Sequence, residues 1–356
     1  MSEIKVNNIQ SLSGTNGPVV SGIATMSSSG AMSLPRGDTA YRGGRGRGIF
    51  GGGYGQSQPH AASINTIDYV TIATLGNALD FGDLSVSRQA YPGGSSATRG
   101  CFIAGRFSPG NAWFNIIDYV TIQSTGNAMD FGDLVHTENP NQKGTSNQIR
   151  SVYGGGYQTG GSNEWKNTIG YFTIATKGNS SDFGSFENYG RKQNTGSNGT
   201  RGIFAGNRGA FPGTPGVNTN HIEYVTIATL GNAQDFGDTT RVGNNMSGSM
   251  TSSTRMVFQG GVNPSGDNTI EYITMSSLGD SIDFGDVSTT VREGTTSTSS
   301  PTRGVFNTGS VGAGTPTNNT IEYITIATLG NSQDFGDLTR LSTVGGALSD
   351  SHGGLS

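Results

Sequence analysis

The stretch "NTIEYITIATLGNSQDFGDL", Asn319 to Leu338, is one of six near-copies of a single phrase in a chain of 356 residues. Its first part, "TIEYITI", is β-branched and aromatic, with apolar residues on both pleat faces, the pattern of a strand covered on both sides. Leu-Gly-Asn then supplies a glycine able to take positive φ, as a tight hairpin turn requires. "DFGDL" begins a returning strand. The tyrosine of the phrase recurs as Tyr69, Tyr119, Tyr171, Tyr224, Tyr272 and Tyr323, and an aspartate of Asp-Phe-Gly follows each by 11 positions: Asp80, Asp130, Asp182, Asp235, Asp283 and Asp334.

A second phrase, typified by "TRGIFAG", carries Arg47, Arg99, Arg150, Arg201, Arg255 and Arg303. From a tyrosine to the next arginine is 30 or 31 residues, whereas from an arginine to its own tyrosine the gap runs from 17 to 23. The length variation of the unit is therefore confined to one loop. A polar, small-residue segment such as "SVSRQAYPGGSSA" fills the space before each arginine phrase and reads as a further strand. Four short strands in about 50 residues, with no helical periodicity, predict one blade of a β-propeller; neighbouring copies bury the faces that one unit leaves open. The predicted fold is all-β, a six-bladed propeller over residues 36–356 behind an extended arm, residues 1–35. Two segments can complete the first blade. One carries Arg36, 11 residues before Arg47 as Arg88 precedes Arg99. The other is the C-terminal "LTRLSTVGGALSDSHGG", favoured because it follows Asp-Phe-Gly-Asp-Leu as its counterparts do.

Composition agrees with short strands and excludes several function classes. Hydrophobic residues make up 32% and charged residues 13%, with 59 glycines, too little apolar side chain for a thick helical core. The net charge of −4 opposes general attraction to nucleic acid or anionic membrane. Cys101 is the single cysteine, so no internal disulfide forms. No apolar run is long enough to span a bilayer as a helix, and "MSEIKVNNIQ" lacks a signal-peptide core, which predicts synthesis in a cytoplasm.

The repeated polar residues read as scaffold, because an active site needs one constellation and not six. Asp-Phe-Gly evokes the protein kinases, but neither a glycine-rich phosphate loop with its strand lysine nor a His-Arg-Asp loop accompanies it. Each aspartate is expected to accept turn amides, and each phenylalanine to pack between blades. The arginines are expected to pair with these aspartates or with the acidic residue before the tyrosine (Asp68, Asp118, Glu223, Glu271, Glu322), a pattern that Gly170 interrupts. "YRGGRGRG", Tyr41 to Gly48, has the composition of RNA-binding arginine-glycine segments, yet runs straight into the first arginine strand and reads as its lead-in. His60, His136, His221 and His352 lack ligand spacing, so no metal or other cofactor is expected.

A short apolar strand ending in paired glycines, a variable loop and a tyrosine strand together resemble the kelch repeat. Gly52-Gly53, Gly154-Gly155 and Gly260-Gly261 fit the glycine pair; Asn207 and Thr308 depart from it, and Asp-Phe-Gly stands where kelch blades place a tryptophan. Kelch-type propellers include a copper oxidase, whose clustered ligands and cross-linked cysteine have no counterpart here, and the Ser-x-Asp-x-Gly-x-Thr-Trp boxes of sialidase propellers are missing. A non-enzymatic protein is expected.

Two regions escape the repeat. The variable loops hold both tryptophans, Trp113 and Trp165, with Tyr54, Phe107, Phe114, Tyr157 and Phe211. Aromatic side chains on exposed loops suit recognition of sugar rings or protein; the alternative is that they fold back over blade edges. The arm is rich in small residues, with scattered Ile4, Val6, Ile9, Val19, Val20 and Ile23, and suits strand addition to a partner. The opening "EIKVNNIQSLSGTNGP", the "RGGRGRGIFGGG" lead-in and the "IDYVTIATLGNA" repeats together resemble virion structural proteins of tailed bacteriophages, particularly those of marine cyanobacteria. That resemblance implies a protein of the virion, made in the host cytoplasm and multimeric within the particle. It would be anchored on other virion proteins by its arm, as a tail- or fibre-associated or capsid-decorating component, and would display the loops to host-surface glycan. The competing expectations are a kelch-type protein-interaction scaffold and a propeller glycan hydrolase.

Overall fold

The computed structural model describes residues 19–20, 24–26, 32–33, 46–57, 60–109, 112–136, 143–157, 165–211, 214–242, 248–259, 267–291, 295–309, 318–343 and 345–355. The chain divides between Gly43 and Gly44 into two compact units. The first contains a small antiparallel sheet of Val19–Val20, Ala24–Met26 and Met32–Ser33, in which Val20 pairs with Ala24 and Met26 with Met32. Ile4, Val6, Ile9 and Ile23 lie outside the described residues.

The described residues of the second unit are all-β apart from one 3-10 turn at Gly353–Leu355. They form six four-stranded antiparallel sheets, each in the order polar strand, arginine strand, tyrosine strand, return strand. In the second sheet these are Gln89–Ser95, Arg99–Arg106, Ile116–Thr121 and Met129–Asp133. The sheet boundary thus falls after the return strand, and each arginine phrase pairs with the tyrosine that follows it. In the first sheet the polar strand is Gly346–Ser349, so the C-terminal candidate completes it: Gly346 pairs with Gly51 and Ser349 with Gly48. Asp350, fully buried, fixes that junction by accepting the Gly46 and Arg47 amides at 2.7 and 3.1 Å. Arg36 lies outside the described residues.

The seam between sheets repeats six times. In the second sheet the turn between tyrosine and return strands sends Gly126 N–H to Phe81 O (2.7 Å) and Ala128 N–H to Asp83 O (2.7 Å), both on the return strand of the first. Asn127 Oδ1 accepts the Asp83 amide at 3.0 Å. Equivalent contacts join each sheet to the next, and Gly76 N–H reaches Phe335 O at 2.9 Å, so the sixth sheet meets the first. Leu-Gly-Asn is therefore less a tight hairpin corner than a reach to the neighbouring sheet. The approach is close enough to demand glycine: a Cβ on Gly336, whose φ is +148°, would lie 2.5 Å from Gly76 O.

The arginines belong to the same seam, and here the structure corrects the expectation of pairing with carboxylates. Arg99 Nη1 donates to Ile174 O and Ala175 O of the next sheet at 2.7 and 2.9 Å; Arg303 of the sixth sheet donates to Ile72 O of the first at 3.0 Å. Each guanidinium also lies over its own repeat tyrosine, at 4.5 Å for Arg99 on Tyr119. Each tyrosine meets its buried Asp-Phe-Gly phenylalanine edge-on, as Tyr119 meets Phe131 at 6.0 Å. The Asp-Phe-Gly aspartates themselves are exposed; instead of their accepting turn amides, the turn asparagines accept the amide of the residue that follows Asp-Phe-Gly, Asn127 from Asp83 and Asn179 from Asp133. Arg47, inside the arginine-glycine segment, is the first of these seam arginines, stacked on Tyr69 at 4.5 Å.

The acidic residues before the tyrosines form a second inter-sheet tie. Asp118 accepts the Ser85 amide and hydroxyl and Arg88 from the segment leaving the first sheet. Glu223, Glu271 and Glu322 receive corresponding groups, Glu322 from the Ser288 amide and hydroxyl and from Ser332. Asp68 accepts Thr339; burial outweighs this and the nearby Arg340, and holds its carboxyl above the usual carboxylate range. Gly170 breaks the series because Tyr153 stands where the other five sheets have phenylalanine (Phe50, Phe102, Phe204, Phe258 and Phe306). A Cβ on Gly170 would lie 2.4 Å from the Tyr153 hydroxyl, which bonds Ser180 as Glu271 bonds Ser281. The phenol replaces the carboxylate.

The polar strands are small-residue rich because six of them converge. Ser146 hydroxyl donates to Ser95 O (2.9 Å), Ser95 to Ser349 O (2.6 Å), Ser349 to Ser299 O (2.6 Å) and Ser299 to Thr251 O (3.0 Å), while Ser197 donates to Ser146 O. At Thr251 the hydroxyl accepts the Gly353 amide instead (3.1 Å), where the C-terminal turn packs against the same strand ends. Gly144 shows how tight the approach is: a Cβ there would meet Gly93 O at 2.5 Å.

Two outcomes follow for stability. Gly285→Ala, at φ +151° and with its Cβ 2.4 Å from Gly330 O, should cost more than about 2 kcal/mol in denaturant unfolding. Tyr153→Phe and Gly170→Glu should each destabilise, and the double variant should recover at least about 1 kcal/mol of the summed loss, measured as a double-mutant cycle.

Candidate functional site

The loop between arginine and tyrosine strands emerges at one end of each sheet; the Gly-Asn turns lie at the other. At the loop end of the second, third and fourth sheets the sequence-selected aromatic residues gather with cations. Arg106 closes the second arginine strand and bridges to Trp113 across the loop; its guanidinium lies 5.3 Å from the indole. In the third sheet Tyr157 bridges to Trp165, with ring centroids 4.5 Å apart. Arg191, from the polar strand of the fourth sheet, lies 5.7 Å from both rings, held there because Gly155 pairs with Arg191 along the backbone. Trp113, Tyr157, Trp165, Arg106 and Arg191 are all half-buried. A cation over an aromatic face contributes about 0.5–1 kcal/mol at an exposed site and more where water is excluded.

The other selected residues are separate from this group. Phe107 and Phe114 are half-buried on the same loop as Trp113, tied back by Phe107 N–H to Ala112 O (2.8 Å) and Phe114 N–H to Gly105 O (2.9 Å). Tyr54 sits in an accessory three-stranded sheet, paired with Ser63 and Thr343. Phe211 pairs with Thr214 at the tip of the long fourth-sheet hairpin. The described loops therefore do both things the sequence left open: backbone pairing folds them back, and two tryptophans remain half-accessible against arginines.

The sequence reading missed Arg106, Arg191 and Lys143. A signal existed in their departure from the repeat, since Arg191 stands in a polar strand otherwise rich in serine, threonine and glycine. Their neighbourhood was invisible, because Arg191 and Trp165 belong to different sheets. Lys143 opens the third polar strand and lines a cavity of about 80 Å³ between the six polar strands; burial pulls its ammonium down from 10.5 to about 7. His352 lines the same cavity, with Nε2 3.1 Å from Ser95 O and Nδ1 accepting the Gly354 amide at 3.1 Å.

Two buried carboxylates near this end are engaged in ion pairs, Arg88 donating to Asp118 at 2.8 Å and Lys192 to Glu223, whereas Asp133 and Glu187 are exposed. Among the described residues no group of three or more His, Cys, Asp or Glu is arranged to hold a metal ion, and no helix is long and apolar enough to cross a membrane. Cys101 is buried in its strand, and burial pushes its thiol up to about 12. No established protein family matches the sequence, and no curated protein resembles it significantly.

Lys143 makes stability depend on pH with a defined sign. The unfolded chain keeps this amine protonated up to about pH 10, the folded chain only below about pH 7. Its burial therefore costs stability most fully below pH 7, and the cost fades as pH rises towards 10. Lys143→Met should raise the Tm, by more at pH 6 than at pH 10, as measured by thermal unfolding.

Proposed function

We propose that the chain is a non-enzymatic structural protein of a tailed-bacteriophage particle. In this reading the six sheets close into a six-bladed, kelch-like β-propeller, the N-terminal region docks on other virion proteins, and the loop end is turned to host-surface glycan. The closed ring draws its support from the seam: the same hydrogen bonds and arginine contacts that join successive sheets also join the sixth to the first. Phage origin is supported by the sequence resemblance of the opening, lead-in and repeats.

The observation that carries the display role is a division of labour. The repeated arginines and tyrosines, and the acids before the tyrosines, are engaged within or between sheets. Half-accessible tryptophans occur only where the repeat is broken, on the described loop residues of the second and third sheets. Rigid aromatic groups on a braced frame suit sugar rings, which offer apolar faces for stacking. Asp118 and Glu223, the buried carboxyl groups near this end, are held in ion pairs and so are unsuited to the paired acid and base of a glycan hydrolase.

Two experiments test the two halves. Particles assembled with a chain lacking residues 1–43 should fail to incorporate it while the remaining unit stays folded; normal incorporation would refute the docking role. A Trp113→Ala, Trp165→Ala double variant should reduce adsorption to host cells at least about tenfold, given roughly 1 kcal/mol or more per lost stacking ring. Unchanged adsorption would leave the loop end as a cover.

A further inference from the structure

Lys192, Asn207 and Glu223 are three buried side chains of the fourth sheet, 2%, 0% and 1% exposed. They come from three successive strands: the polar strand Tyr189–Ser197, the arginine strand Arg201–Phe211 and the tyrosine strand Thr214–Thr226. All three converge on the Glu187–Tyr189 segment that enters the sheet. Glu223 Oε1 accepts the Glu187 and Asn188 amides at 2.7 and 3.3 Å. Lys192 Nζ donates to Asn188 O at 3.3 Å, and Asn207 Nδ2 to Tyr189 O at 2.7 Å. Lys192 Nζ also touches Glu223 Oε2. Lys192 and Asn207 are direct cross-strand partners, a pairing that sets Cβ atoms about 5 Å apart.

The setting is apolar. Lys192 Nζ lies 4.3 Å from the Phe186 ring, which meets Phe204 edge-on at 4.8 Å, both rings buried. Burial pulls the Lys192 ammonium below its ordinary value, against the opposing pull of Glu223, so its proton is given up to that carboxylate more readily than in water. Asn207 Oδ1 is buried and accepts no hydrogen bond, an orphan that folded proteins rarely keep without a reason. At the entry of the second sheet the corresponding pair is Arg88 with Asp118. A guanidinium keeps its proton and cannot act as a nucleophile, whereas a lysine amine can.

We propose that Lys192 and Asn207 join through an isopeptide bond, with Glu223 moving the protons. Glu223 takes a proton from the ammonium, and the freed Nζ lone pair attacks Asn207 Cγ as the carbonyl electron pair moves onto Oδ1. Glu223 then passes that proton to Nδ2. Collapse of the adduct restores the carbonyl, breaks the Cγ–Nδ2 bond and releases ammonia, while a second Nζ proton returns to the Glu223 carboxylate. The products are a secondary amide, one ammonia and a protonated Glu223; charge balances, and no oxidant or reductant takes part. The new carboxyl O–H supplies a donor for the Oδ1 that had none. The bond ties the polar strand to the arginine strand at the base of the fourth sheet's long hairpin, whose strands run to 11 and 13 residues. It is independent of what the loops bind.

The test is intact-mass measurement and peptide mapping of the denatured full chain. The parent should be lighter than its sequence mass by one ammonia, and a protease digest should yield the Lys192 and Asn207 peptides as one joined species. Lys192→Arg, which keeps the charge, and Asn207→Ala should each restore the full mass and the separate peptides. Glu223→Gln should leave most of the chain unjoined. Thermal unfolding checks the fold of each variant, and the parent's own mass and map decide the matter even if a variant does not fold. A parent of full sequence mass with separate peptides overturns the proposal. So does a deficit of one ammonia without the joined peptide, as an asparagine cyclised on its own backbone would give. A joined Lys192–Glu223 peptide, lighter by one water, overturns Asn207 as the acyl partner. Undiminished joining in folded Glu223→Gln overturns the proton-transfer role.

Discussion

Each sheet is held to its neighbour by a seam that behaves like one more strand pairing. Two backbone hydrogen bonds, an asparagine or aspartate side chain, an arginine reaching one or two carbonyls and a glycine-to-glycine contact recur at every junction. A four-stranded sheet of this composition exposes two faces that it cannot bury alone. The seam supplies the missing burial, and it does so only if the next sheet is present. Stability is therefore shared around the series, as in other repeat architectures. The completion of the first sheet by Gly346–Ser349 ties the two ends of the second unit into the same series.

The materials of the seam explain an unusual composition. Where backbones approach to near contact, any Cβ would collide, so glycine is required at the turn and in the return strand. Where six polar strands converge, serine, threonine and glycine predominate, and their hydroxyls satisfy carbonyls of the neighbouring strand. Apolar side chains are kept for the layers between sheets, such as Ile203, Ile222, Phe236, Met256 and Phe258. A low hydrophobic fraction is then compatible with a dense interior.

Function, in the reading proposed here, occupies what the frame leaves over. Loops that carry no seam residue can vary in length and sequence without disturbing their neighbours. The half-accessible tryptophans and their arginines sit in that space, braced by strands on either side. A binding surface built in this way is pre-ordered, which lowers the entropy lost on engaging a ligand.

The sequence by itself determined the strands, their number per unit, the turn glycines and the single variable loop, because each of these is a local or periodic property. It also marked Gly170 as an exception and favoured the C-terminal segment as the completing strand. Tertiary structure alone decided which groups meet across units. The arginines face carbonyls more than 70 residues away instead of the carboxylates within their own repeat. Tyr153 fills the place of the carboxyl that Gly170 lacks, and Arg191 comes to lie on Trp165 of the preceding sheet. Spacing along a chain fixes the contents of a repeat; the contacts between repeats depend on how their faces pack, which no single unit encodes.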